Sequence, residues 1–177
     1  MDFDKIGGWS QADLRRFIVN LLLTDPGALP PAKAPAPTPP AQAARVMRST
    51  NQSINNTSLT AISFDTTVFD FANMFAPTTA LRAPSDGVYV ATGMVRWAVG
   101  AGGSVREMIL MKNGGTRIAD DTEKPSGVDV DTNVAAVVEY MKAGEYIELF
   151  VFQNSGGALN ALTGGTGLPS LSLARIG

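Results

Sequence analysis

The segment Arg82–Val99, Arg-Ala-Pro-Ser-Asp-Gly-Val-Tyr-Val-Ala-Thr-Gly-Met-Val-Arg-Trp-Ala-Val, restricts the folds open to this chain more than any other. Pro84-Ser85-Asp86-Gly87 is turn chemistry, and the residues after Gly87 read as one long β-strand. Alternation places Tyr89, Ala91, Gly93, Val95, Trp97 and Val99 on one face and Val88, Val90, Thr92, Met94 and Arg96 on the other. A strand with one wet face alternates apolar and polar residues. This strand is mostly apolar on both faces. One face fits a sandwich core, and the other needs a second cover.

The chain from about Arg45 to Gly177 reads as all-β, with short alternating runs separated by turn signals. Ser58–Phe64 opens it, followed by Thr67–Phe71 and then the long strand. Ser104–Lys112 meets Asn113-Gly114-Gly115 and returns through Thr116–Ala119; Asn-Gly is the strongest short hairpin signal. Val134–Met141 turns at Lys142-Ala143-Gly144-Glu145 into Tyr146–Gln153, and Ser170–Ile176 closes the chain. About eight to ten short strands of this kind suit a β-sandwich or jelly roll.

Two different zones precede it. In residues 1–25, Ser10 suits a helix N-cap with Asp13 at the third helical position. Trp9 stands before the cap, and Leu14, Phe17, Ile18, Leu21 and Leu22 follow helical spacing. A lone helix of this length is marginal in water, so its apolar stripe needs a partner: its own globular domain, or another protein to which it anchors the chain. "FIVNLLL" is too short and too poorly flanked to favour a secretion signal. Residues 26–47 are rich in proline and alanine and form the expected linker. Extended as polyproline II at ~3.1 Å per residue, the proline-rich stretch reaches roughly 60 Å. A PxxP ligand is the other reading of such a run, and a spacer is the simpler one. The globular domain is expected over residues 48–177.

The chemistry open to the chain is narrow. It has neither histidine nor cysteine, so triads built on histidine or a thiolate are excluded within one chain. The formal net charge of −2, with no strongly basic stretch, argues against a nucleic acid or anionic membrane held by charge. The acidic run Asp120, Asp121, Glu123, Asp129 and Asp131 could supply oxygen ligands to Ca²⁺, but its spacing is not that of an EF-hand. A solvated loop is the plainer reading. Arg96, Glu107, Glu139 and Glu148 interrupt apolar strands. They call for ion partners near an assembly axis, or for positions at strand ends that reach water. A catalytic carboxylate pair such as Glu139 with Glu148 has no other support in the chain. Phe69, Phe71, Phe75, Tyr146, Phe150 and Phe152 are expected in the core. The glycine-rich stretches 100–104 and 154–167 lack the lysine and helix of a phosphate loop; they read as flexible connections at one end of the sandwich, where any ligand would be met.

Five stretches carry a family resemblance: Asn51–Asp70, Leu81–Trp97, Ile109–Gly115, Tyr140–Gly156 and Leu171–Gly177. In order and spacing they resemble the C1q/TNF-like jelly rolls, and are most similar to C1q-like domains of bacteriophage structural proteins. The aromatic pair common after Gly-Val is reduced to Tyr89, and a proline-rich linker stands where a collagen-like stalk would be. The resemblance implies a compact homotrimer in which the strand bearing Val88, Val90, Thr92, Met94 and Arg96 turns one face to the core and one toward the three-fold axis. It implies a non-enzymatic protein without a required cofactor. Taken with the anchor and spacer, it points to a virion component. The N-terminus would meet a phage capsid or tail protein, and the knob would be displayed toward a host-surface glycan or protein. A bacterial surface or spore-coat module of the same fold is the rival expectation.

Overall fold

The computed structural model describes residues 5–6, 9–10, 12–13, 15–16 and 41–177, except 77, 101 and 165–167. The chain divides into two units, Met1–Pro39 and Pro40–Gly177. In the first, β1 (Lys5–Ile6) pairs antiparallel with β2 (Trp9–Ser10). Residues 12, 13, 15 and 16 are helical. The Asp13 amide donates to Ser10 Oγ and the Ser10 amide donates to Asp13 Oδ2, both at 3.2 Å. The anchor-stripe residues Leu14, Phe17, Ile18, Leu21 and Leu22 lie outside the described residues, as does the side chain of Trp9.

The second unit is an all-β sandwich. Its strands are β3 (Ala43–Met47), β4 (Gln52–Ile54), β5 (Thr60–Ala61), β6 (Thr66–Asp70), β7 (Phe75–Ala76), β8 (Ala80–Arg82) and β9 (Gly87–Arg96). They continue with β10 (Arg106–Lys112), β11 (Thr116–Glu123), β12 (Thr132–Met141), β13 (Tyr146–Gln153), β14 (Leu159–Ala161) and β15 (Ser170–Arg175). One sheet has the order β12-β9-β15-β3-β6. The other has the order β11-β10-β13-β8-β7, with β5 added on β13, and β14 pairs β4 separately.

The β3 strand corrects the expected boundary. Ala43–Met47 falls within the expected linker, yet it lies between β15 and β6. Its alternating residues Ala44 and Val46 are fully buried, so the chain enters the sandwich before residue 48. The Asn-Gly hairpin forms as expected: Asn113 and Gly114 both take positive φ, 52° and 70°, which matches the twist of β10 and β11. The acidic run departs in part from its loop reading: Asp120, Asp121 and Glu123 belong to β11, while Asp129 and Asp131 lie in the connection to β12.

Tyr89, Ala91, Val95 and Trp97 of the long strand are buried between the sheets, with Leu171 and Leu173 beside them. Met108, Leu110, Ile147, Leu149 and Val151 complete the core from the other sheet. Gly93 is needed here, since a β-carbon would collide with the side chains of Leu149 and Leu110. Val99 does not follow its expected row; β9 has ended and Val99 is exposed. The expected aromatic core is also corrected. Phe69, Phe75, Tyr146, Phe150 and Phe152 are half-buried and Phe71 is exposed. On β13 the buried row is Ile147, Leu149 and Val151, and the aromatics occupy the opposite row.

Candidate functional site

The outer face of the five-stranded sheet is largely apolar, and among the described residues nothing covers it. Register defines three rows across it. Val138, Val90, Ala174 and Ala43 form one. Ala136, Thr92, Ser172, Arg45 and Phe69 form the next. Val134, Met94, Ser170, Met47 and Thr66 form the third, and Tyr140 pairs with Val88 at the end. Val134, Val138 and Tyr140 are 56%, 60% and 54% exposed. At the far edge the Phe69 and Phe71 rings stack with centroids 5.2 Å apart, and Phe71 is 65% exposed. Contiguous exposed apolar surface of this kind marks an interaction site.

The structure places Val88, Val90, Thr92, Met94 and Arg96 together on this face, opposite the core row of β9. Their neighbours on β12 and β3 are not among the interface residues expected from sequence. Val134–Met141 is apolar on both faces and carries the same signal as β9. Among the described residues, the paired rows of this face contain no carboxylate. Its cations are Arg45, on β3, and Arg96. The Arg96 Nη1 donates to the Gly164 carbonyl at 3.3 Å, at the end of β9.

The other strand charges are satisfied inside the chain. Glu107 pairs with Arg117 on the outer face of the six-stranded sheet. Thr79 Oγ1 donates to Glu148 at 2.6 Å. Lys112 Nζ lies 3.0 Å from Glu139 and 3.1 Å from Glu145. Burial works to lower the Lys112 pKa, but the bonds and charges of the two glutamates outweigh it and hold it above its ordinary value. Glu139 and Glu148 thus sit in separate contacts rather than forming a pair.

The end of the sandwich at which β9 finishes carries a buried polar cluster and the glycine-rich loops. Arg106 is fully buried, and its guanidinium donates to the carbonyls of Val105, Gly100 and Gly102. Burial of the charge lowers its pKa, against the attraction of Asp131. Trp97 Nε1 donates to Asn133 Oδ1 at 2.7 Å. The loops expected to be flexible are tied by asparagines. Asn154 Oδ1 accepts from the amides of Ser104 and Val105, and Asn51 Oδ1 accepts from Thr163. The acidic residues act as caps: Asp121 Oδ2 accepts from the Val134 amide, Asp131 Oδ1 from Ser126 and Asp129 Oδ1 from Val130. Among the described residues no group of three or more carboxylates is gathered to hold a metal ion.

No protein-family model matches the chain, and no curated protein matches it in sequence. Solved structures do match. Murine APRIL (crystal structure at pH 5.0) superposes with a TM-score of 0.60 at 12% identity, over 77% of this chain and 99% of that one. The fold is a TNF/C1q-like jelly roll. Eiger TNF from S. frugiperda gives a TM-score of 0.58 at 12% identity, over 78% of this chain and 94% of the other. The globular domain of zebrafish complement 1qA protein gives 0.53 at 14% identity, over 76% and 94%. At these identities the likeness establishes the jelly roll and its sheets.

Proposed function

We propose that the chain is a non-enzymatic homotrimeric structural protein of a bacteriophage virion, whose jelly roll is displayed on the particle for decoration or host-surface adhesion. The observation that carries the trimer is the uncovered apolar face of the five-stranded sheet. Obligate interfaces resemble a domain core cut in half, and three copies joined by their sheet faces would bury Val88, Val90, Thr92 and Met94 in this way. The likeness to APRIL and complement 1qA in fold supports a binding module over an enzyme.

The particle role rests on the resemblance of the strand motifs to phage C1q-like domains and on the anchor and spacer sequences of residues 1–42. The direction of entry supports display. Gln42 accepts from the Arg175 amide at one end of the sandwich, while the loops around Gly102, Asn154 and Asp129 occupy the other end. Loops at a free end meet ligands, and many copies turn weak contacts with a cell-surface glycan or protein into avidity.

Light scattering on the full chain tests the assembly. The expected mass is three times 18.6 kDa; a monomer overturns the trimer. Deletion of residues 1–25 is expected to leave the trimer intact and abolish its incorporation into particles. Recovery of the native chain from a cell envelope or spore coat, and not from purified virions, would overturn the particle role.

A further inference from the structure

The outer face of the five-stranded sheet has an electrostatic defect that a second copy can repair. Arg45 lies in the middle row, between Ser172 and Phe69. Its Nε is buried and lacks a hydrogen-bond partner, and among the described residues no carboxylate reaches it. The nearby acids are committed elsewhere. Asp70 accepts from the amides of Ala72, Met74 and Phe75, and Asp65 accepts from Ser49 and Thr66. Covering this face with apolar surface alone would bury an unpaired guanidinium, which is strongly unfavourable.

The opposite flank of the sandwich offers the complement. There β11 abuts β12, joined by the Val134 amide to Asp121 and by Asn133 Nδ2 to the Asp121 carbonyl. Asp121 and Glu123 alternate onto the side of β11 that meets β12 near Val134, while Asp120 falls on the opposite side. Asp121 is bonded to Val134, and Asp120 lies 3.8 Å from Arg117. Glu123 is exposed, and among the described residues no side-chain hydrogen bond or ion pair reaches its carboxylate. Burial and the neighbouring Asp121 and Asp131 charges hold its carboxyl above the ordinary range; an incoming cation would relieve that repulsion. A contact joining two different patches of the same chain is head-to-tail, and such contacts form a ring when the rotation between copies closes.

We propose that Glu123 of one copy pairs with Arg45 of the next, so that each subunit contact sets the β11–β12 flank of one chain on the β3–β6 side of its neighbour's sheet. This rests on the trimer reading. The pair fixes the direction of the ring as well as its charge balance, because apolar rows alone would tolerate other registers.

A charge swap on the full chain, read by sedimentation equilibrium, tests it. Glu123→Lys and Arg45→Glu are each expected to raise the dissociation constant at least about tenfold, and the double swap to recover most of the loss. Glu123→Gln and Arg45→Gln provide a milder cycle if a reversal unfolds the domain, with circular dichroism as the check. In that cycle the double variant should cost less than the sum of the singles. Raising salt should weaken the wild type more than the Gln double variant. Single effects that simply add, or a swap no better than the worse single, would overturn the pair while the trimer stands. A wild-type monomer would instead overturn the trimer itself.

Discussion

The two sheets present outer faces of the same construction and opposite character. On the six-stranded sheet, Glu107 bonds Arg117, Glu148 accepts from Thr79, and the Arg82 guanidinium sits 5.3 Å from the Tyr146 ring centroid. Arg117 stands opposite Met111 and reaches Glu107, so its side chain spans the row containing Ile109, which is buried. That face covers its own apolar groups with charged ones. On the five-stranded sheet the corresponding rows have no carboxylate, and Val134, Val138 and Tyr140 remain open. The difference therefore concerns what each face meets: in the proposed trimer, water for one and a neighbouring subunit for the other.

The largest expected effect breaks this contrast directly. Val90→Asp or Val138→Asp places a carboxylate on the open face, where an interface would have to desolvate it without a designed partner. Each is expected to convert the trimer to monomers while circular dichroism still reports a folded sandwich. Glu107→Gln, on the other sheet, is expected to leave the mass unchanged and to cost under about 1 kcal/mol, as for an exposed pair. Light scattering on the three variants checks both. A trimeric Val90→Asp would show that the open face is not the contact.

A smaller effect separates assembly from core integrity. Asn133 is fully buried, accepts from Trp97 Nε1 at 2.7 Å and donates to the Asp121 carbonyl at 3.2 Å. Asn133→Ala leaves a buried indole N–H without its acceptor, at a cost of about 1–3 kcal/mol. Thermal denaturation is expected to show the loss, with trimer mass retained at room temperature. Because Asn133 turns inward from β12 while its neighbour Val134 turns outward, the two positions test opposite sides of one strand.

These pairs also show how far the fold is legible in the sequence. Tyr146–Gln153 and the Asn113 hairpin are readable because turn residues bracket regular runs. The outward set Val88, Val90, Thr92, Met94 and Arg96 is readable because Gly87-Val88-Tyr89 fixes the start of the alternation. The face that β13 turns inward is not: Ile147, Leu149 and Val151 are no more apolar than Phe150 and Phe152, and a strand apolar on both sides does not declare its core. The β3 strand is hidden for another reason. Ala43 and Ala44 continue an alanine- and proline-rich run, and their pairing is supplied by β15, more than a hundred residues away. In β11, Asp120–Glu123 tolerates charge because it is an edge strand, paired in its sheet with β10 alone.

The smallest effect concerns the end of the sandwich where residue 42 enters. Lys112 shares its face of β10 with Met108 and Leu110, yet its ammonium reaches Glu139 on β12 and Glu145 beside β13. The Lys142 amide, with the bonds from Lys112 and Asn113 after it, holds the Glu145 pKa below 4.5 against the effect of burial. A depressed carboxylate contributes stability that is present above its unfolded pKa and lost as pH falls through the folded one. Lys112 has the opposite sign: its pKa is raised above 10.5, so its contribution is complete below that value and lost as pH rises through the folded one. Stability from this pair should thus form a plateau that falls off at both extremes. Lys112→Met should lower neutral-pH stability by about 1 kcal/mol and flatten the alkaline arm, because no ammonium remains to titrate there. Denaturation midpoints of both proteins from pH 7 to about 12, beyond the ordinary lysine pKa, check this. Parallel curves would show that the Lys112 bonds do not bind the two sheets together, leaving the core rows alone to hold that end.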